Sequence, residues 1–146
     1  MFIQEKIHVV NCFGCSQENP IGLKLKCTAR DNCVTAEFTP GQYHMGPPGS
    51  THGGIIMSLI DEATSVLARG QLKYDVRTIR SEIVFRNPAN IGQKIYAEAC
   101  LKEEKSRAII VSARVYSDNK IIAEGTGTLL KINGRQYDMT AGSGDR

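Results

Sequence analysis

Two groups of residues carry the chemistry that can be read directly from this sequence. One is the turn His52-Gly53-Gly54, and the other is the carboxylate Asp61, farther along the same apolar stretch Ile55-Ile56-Met57-Ser58-Leu59-Ile60-Asp61-Glu62-Ala63. Two glycines at the start of a helix let a ligand approach the backbone without Cβ obstruction. The first N–H groups of a helix lack internal partners, and the helix dipole is positive there. Such an end suits the oxyanion of acyl transfer. A carboxylate suits activation of water, or direct attack on a carbonyl.

The spacing constrains how the two can cooperate. Asp61 lies eight residues beyond Gly53, or about 12 Å along a helix axis. An attacking group and an oxyanion donor must each come within about 3 Å of one reacting centre. One helix cannot place both there. If both are used, the second comes from another copy of the chain, across an antiparallel helix pair in a two-fold dimer.

On the helical wheel Met57, Thr64, Ser65 and Ala68 neighbour Asp61, and none is charged, which favours a partly desolvated carboxylate. Glu62 points about 100° away, toward Ser58 and Arg69. Read from periodicity alone, Asp61 is equally a solvated residue of the outer face. His52 reads first as a loop histidine bonded to backbone, which would brace the turn.

The elements that must position these groups follow from pattern. Leu23, Leu25 and Cys27, then Val34, Ala36 and Phe38, alternate around Asp31-Asn32 and predict two strands with a tight turn. Residues 40–54, rich in Gly and Pro, predict a loop. Residues 53–69 predict the one long helix, capped by Ser50 or Thr51 and ended by Gly70. Its apolar stripe is Ile55, Ile56, Leu59, Ile60, Ala63, Val66 and Leu67. Strands are expected near 76–86, 93–103, 107–117 and 121–132, with short breaks that imply antiparallel hairpins. The tail 133–146 is polar and is expected to be frayed. One helix and a run of antiparallel strands define an α+β domain over residues 1–146.

Composition narrows the function classes. The 146 residues carry a formal charge of +3 without block charge runs, so nothing calls for a nucleic-acid partner. No apolar run reaches the ~20 residues of a membrane span, and no leader pattern is seen at the start. Five cysteines, an odd number without a secreted framework, fit reduced thiols and a cytoplasmic location. Cys12-Phe13-Gly14-Cys15 invites a zinc reading, but Cys27 and Cys33 do not supply a second pair of matching spacing, so no metal site is expected. There is no Walker loop, dinucleotide fingerprint or nucleophile elbow.

Taken in order, several segments resemble the hotdog-fold thioesterase superfamily, in particular the group that includes the phenylacetate-pathway thioesterase. They are Cys12-Phe13-Gly14-Cys15 with Asn19-Pro20-Ile21-Gly22-Leu23, Glu37-Phe38-Thr39-Pro40, His44-Met45-Gly46 through Asp61-Glu62-Ala63, Phe85-Arg86-Asn87-Pro88-Ala89, and Glu124-Gly125-Thr126-Gly127. The resemblance implies a curled antiparallel sheet wrapped around one central helix. It also implies hydrolysis of a small acyl- or aroyl-CoA, with no cofactor beyond the CoA of the substrate.

By position, Asp61 matches the nucleophile or general base, and Gly53 the N–H that polarises the carbonyl. His52 matches the histidine of the turn, and Thr78 a hydroxyl that orients water. The implied substrate contacts are His44, Gly54, Met57, Asn87 and Pro88, with Lys105, Ser106 and Arg107 toward the nucleotide. Leu67, Tyr74 and Phe85 are further candidates for the pocket lining. The chain departs from many relatives at Met45 and Gly46, where polar side chains help hold water. Gln42 or His44 are the nearest polar substitutes. Members commonly form dimers or dimers of dimers. The competing readings are a hotdog enoyl-CoA hydratase or dehydratase and a non-catalytic acyl-CoA-binding module.

Overall fold

Small polar pairs set the turns that fold this chain back on itself. Asp31 takes a left-handed φ of 52° and joins strands β1 (Cys27–Arg30) and β2 (Cys33–Phe38). Asp118, at φ 49°, does the same between β5 (Ala108–Ser117) and β6 (Lys120–Gln136). Asp tolerates this region because its short polar side chain bonds locally. This computed structural model describes residues 10–136, with side chains through residue 132. The expected tail beyond 136 lies outside the described residues.

The remaining elements are helix α1 (Gly53–Val66), strand β3 (Tyr74–Phe85) and strand β4 (Ile95–Glu104). The six strands form one antiparallel sheet in the order β1-β2-β4-β5-β6-β3. Helix α1 packs on strands β2 through β6. Leu59, Ile60, Ala63 and Leu67 are at most 2% exposed and share one core with Ile95, Ile109, Val111 and Leu129. Small residues at Ala36, Ala97, Ala99 and Ala113 let the helix lie close to the sheet. Each buried Leu or Ile stabilises the fold by roughly 1.5–3 kcal/mol. This packing, more than propensity, holds a helix that starts with two glycines. The architecture is the expected α+β hotdog arrangement.

Several boundaries differ from expectation for identifiable reasons. Leu23 and Leu25 are buried on the predicted face but are not in a strand. Their N–H groups bond instead to the carbonyls of Phe13 (2.7 Å) and Gly14 (2.9 Å). The helix is capped by His52, not by Ser50 or Thr51: His52 Nδ1 accepts the Gly54 N–H at 2.9 Å. Gly70 does not end it, because a π-helical turn continues through Leu67–Gln71 and the left-handed residue is Lys73, at φ 65°. Strand β6 continues to Gln136, which pairs with Tyr74, so residues 133–136 are strand and not tail.

The expectation of five reduced thiols is corrected at two positions. Cys33 and Cys100 face each other across β2 and β4 and form a disulfide, while Cys12, Cys15 and Cys27 remain thiols. Among the described residues no helix is long and apolar enough to cross a membrane.

The β3–β6 pairing depends on a glycine. A Cβ at Gly125 would fall on the carbonyl oxygen of Glu82, on the neighbouring strand. A Cβ at Gly127 would meet only the Thr64 side chain, nearest at Cγ2 and an ordinary 3.5 Å away. Gly125→Ala should therefore cost about 1–3 kcal/mol by overpacking, and Gly127→Ala distinctly less. Thermal denaturation of the two variants checks this, and equal losses would contradict it.

Candidate active site

Asp61 sits on α1, exposed within the single chain, and faces the start of β3. The Thr78 hydroxyl donates to Asp61 Oδ1 at 2.8 Å. The expected desolvation of Asp61 is thus not present in one chain. Thr78 is delivered by a local irregularity. Thr78 pairs with Leu129 and Arg80 with Thr128, so Ile79 is an extra residue in β3. Such a bulge reverses the side-chain alternation of the strand. Thr78 lines the cleft beside Asp61, and beyond the bulge it is Ser81, Ile83 and Phe85 that line the same cleft. Sequence alternation could not reveal this switch, because Ile79 is an ordinary strand residue.

The cleft holding Asp61 and Thr78 has a volume of about 780 Å³ and also includes Gly54 and Met57. A second cleft of about 400 Å³ includes Gly53, Thr51, Asn87 and Pro88. Phe85, half exposed, borders both. Within one chain, then, Asp61 and Gly53 line different clefts.

The helix start is specific about which N–H is available. Gly54 N–H is taken by His52 Nδ1, and the Ile55 and Ile56 N–H groups bond to the His52 carbonyl at 2.9 and 3.3 Å. Gly53 N–H has no acceptor among the described residues. His52 therefore acts as the brace expected of it and leaves Gly53 as the open donor. Close by, Thr51 Oγ1 is buried without a hydrogen-bond partner among the described residues. It shares the second cleft with Gly53, whereas the sequence offered it only as a helix cap.

Gly46 explains the departure noted there. A Cβ at 46 would come within 2.9 Å of His52 Cα and 3.3 Å of its ring. A polar side chain at this position would displace the brace. Met45, partly exposed, instead forms a β-bridge with Thr51.

Other expected contacts are placed elsewhere. His44 lies against Phe38, its Nδ1 accepts the Gly41 N–H, and its carbonyl accepts the His52 N–H at 2.8 Å. It supports the loop and lines neither cleft. Leu67 is fully buried in the core, and Tyr74 packs under the Lys131 ammonium at 4.0 Å, so neither lines these clefts. Asn87 lines the second cleft while donating to the Ile121 carbonyl at 2.7 Å. Lys105, Ser106 and Arg107 are exposed at the β4–β5 turn, where Arg107 meets Lys131 near the start of β3. Asn87 and Pro88 follow the other end of β3, so a single chain does not bring the two groups together.

The residue that sequence reasoning passed over is Glu62. Burial, then the neighbouring Cys12, pushes its carboxyl up to about 7. Cys12 Sγ lies 3.7 Å from Glu62 Oε2. The Cys12 thiol is drawn down to about 5, first by a hydrogen bond from Cys15 and then by the N–H groups of Cys15 and Gly14, while Cys15 is raised. The only sequence signal was Glu62's position beside Arg69 on the wheel, and both line the first cleft.

A helix wrapped by a curled antiparallel sheet, with a carboxylate in mid-helix and an open N–H at its start, defines a hotdog-fold domain with the parts for acyl transfer. A family model described as the thioesterase superfamily matches residues 48–123, and the chain belongs to that superfamily. It is 31% identical over 97 residues to acyl-coenzyme A thioesterase THEM4 of Xenopus laevis, a match covering 65% of this chain and 43% of that protein. The chain thus spans less than half the length of that relative. Two solved structures share the fold. The PaaI protein of E. coli, from the phenylacetic acid degradation operon, has a TM-score of 0.73 at 19% identity and covers 80% of this chain and 84% of its own. The smu.793 protein of Streptococcus mutans, bound to acetyl CoA, has a TM-score of 0.74 at 16% identity and covers 86% of this chain and 100% of its own.

Proposed function

We propose that the chain hydrolyses an acyl- or aroyl-CoA thioester at a site shared between two copies of itself. The observation that carries this reading is the division of the site. Asp61 with Thr78 lines one cleft, and Gly53 lines another across Phe85. Asp61 of one copy attacks the carbonyl carbon, or takes a proton from the water that attacks it. Gly53 N–H of the other copy stabilises the oxygen as charge develops there. The C–S bond breaks, and the CoA sulfur leaves and is protonated. In the general-base route Asp61 returns the proton. In the nucleophile route water then hydrolyses the acyl-Asp61 anhydride.

Support for a second copy comes from β3. It is a twelve-residue strand at the edge of the sheet, and Ile79, Val84 and Phe85 are 58, 49 and 50% exposed on it. Met57, on the adjoining face of α1, is 45% exposed. A long edge strand with unpaired backbone groups is a template for pairing with another strand. A dimer or dimer of dimers would cover it and desolvate Asp61. It would also give the exposed Lys105–Arg107 turn a route to the phosphates of a CoA bound by the neighbour. The acyl-CoA class of substrate is supported by the thioesterase relatives and by the acetyl CoA in the Streptococcus mutans structure. A cytoplasmic location fits such a substrate.

Free-thiol release from short, medium, long and aromatic acyl-CoAs tests the proposal. At least one class should reach a kcat/KM of about 10⁴ M⁻¹s⁻¹ or more. Tight binding across the whole panel without thiol release would favour the binding module instead, and hydration of an enoyl-CoA would favour the hydratase.

A further inference from the structure

We propose that Cys12, Cys15 and Glu62 form a binding site for a thiophilic divalent cation, with zinc the best match. The sequence alone offers one Cys-x-x-Cys pair, Cys12 and Cys15, without a second pair of matching spacing. The third donor is a carboxylate from the helix, fifty residues away in the chain.

The two Sγ atoms and a Glu62 carboxylate oxygen all lie within 4.8 Å of one another. Cys12 Sγ and Glu62 Oε2 are 3.7 Å apart. Zinc–sulfur and zinc–oxygen bonds in tetrahedral geometry set donor separations of roughly 3.5–3.8 Å. Only small side-chain movements separate these donors from that arrangement.

The loop is built to meet this carboxylate. Ser16 N–H bonds to the Cys12 carbonyl at 3.2 Å, and the Phe13 and Gly14 carbonyls are held by Leu23 and Leu25. A Cβ at residue 14 would fall on the Glu62 carboxylate, so glycine here lets the loop lie directly against it. Cys15 is 8% exposed. Packing a carboxylate against two thiols away from water is costly unless a cation joins them.

Ligand type selects the ion. Two sulfurs and an oxygen favour zinc over the oxygen-seeking magnesium and calcium. On binding, the Cys15 thiol, and any other donor still protonated, releases its proton to solvent. Two thiolates and a carboxylate around a divalent ion leave one excess negative charge, and the Arg69 guanidinium lies near enough to act on Glu62 and offset it. Three protein donors would leave a fourth position for water, and Cys12 and Glu62 both line the cleft that also holds Asp61. The ion would pin the N-terminal loop to the turn of α1 that carries Asp61.

The proposal stands apart from the hydrolase reading, because its readout is metal content. The full chain, reduced and equilibrated with zinc and then freed of loosely held metal, should retain one equivalent by elemental analysis. Cobalt should give a thiolate-to-metal charge-transfer band and intense tetrahedral d–d bands. Both signals should vanish in Cys12→Ser with Cys15→Ser, and Glu62→Gln should weaken zinc binding at least about tenfold. Should the double variant fail to fold, Cys12→Ser alone decides, since Cys12 is half-buried and at the surface of the loop. Zinc should also raise the melting temperature of the wild type but not of Cys12→Ser. Retained zinc no higher than in the variant would overturn the site, as would a Cys12–Cys15 disulfide that persists in reductant with no cobalt spectrum.

Discussion

Asp61→Asn should lower turnover of the best acyl-CoA by about 10²–10⁴-fold while leaving KM near its wild-type value. Asparagine keeps the shape of the side chain and the oxygen that accepts the Thr78 hydroxyl, whose present distance to Asp61 Oδ1 is 2.8 Å. It removes the charge and the basicity. Because Asp61 is exposed within the chain, folding stability should change by no more than about 0.5 kcal/mol, and loss of activity cannot be ascribed to unfolding. Thr78→Val makes the complementary change. It keeps the carboxylate and removes the group that orients it, and should cost about tenfold in kcat. The alternative base is Glu62, whose raised carboxyl range makes it attractive at neutral pH. The Asp61→Asn kinetics separate the two. Turnover within about threefold of wild type would remove Asp61 from the mechanism and leave Glu62 as the candidate.

The parts of this site that were legible in sequence are those fixed by local chemistry. Paired glycines before an apolar 3.6-residue pattern marked the helix start, and the eight-residue gap to Asp61 means that one helix cannot bring both groups to one carbonyl. Ile95, Ala97, Ala99 and Leu101 alternate with polar residues in the sequence; the first three form the buried face of β4, and Leu101 is only partly buried. What escaped depends on contacts between distant segments. The Cys33–Cys100 pair is set by the register of β2 against β4, strands separated in sequence by α1 and β3. Glu62 is on a polar part of the helical wheel, yet the Cys12–Cys15 loop packs over it. The cap belongs to His52 because a ring nitrogen reaches Gly54 N–H as well as a hydroxyl would. The order of strands, with β3 at the edge beside β6, is not written in any local pattern. It is nevertheless what leaves Phe85 and Ile79 exposed and the two clefts unjoined.

The position of Gly53 permits a direct test of the oxyanion role proposed for its N–H. Gly53 is the first residue of α1, a position where proline is conformationally favoured and its missing N–H costs no helical bond. The residue before it must be extended, and His52 already is, at φ −61° and ψ 136°. Gly53→Pro therefore deletes the N–H with little strain on the backbone. Gly53→Ala is the matched control. Its Cβ would meet Phe85 Cζ at 3.4 Å, an ordinary contact, and it keeps the N–H. Loss of one such donor should lower kcat by about 10²–10³-fold in Gly53→Pro, against little change in Gly53→Ala. Mixing then tests whether the site is shared. Gly53→Pro chains retain Asp61, and Asp61→Ala chains retain the Gly53 N–H. If each site draws one group from each copy, a mixed dimer regains one intact site, and a random equal mixture should recover about a quarter of wild-type activity after subunit exchange. If both groups act within one chain, every site in the mixture carries a defect and no activity returns. No recovery, with exchange verified by differently tagged chains, would refute the shared site even if both single variants are inactive.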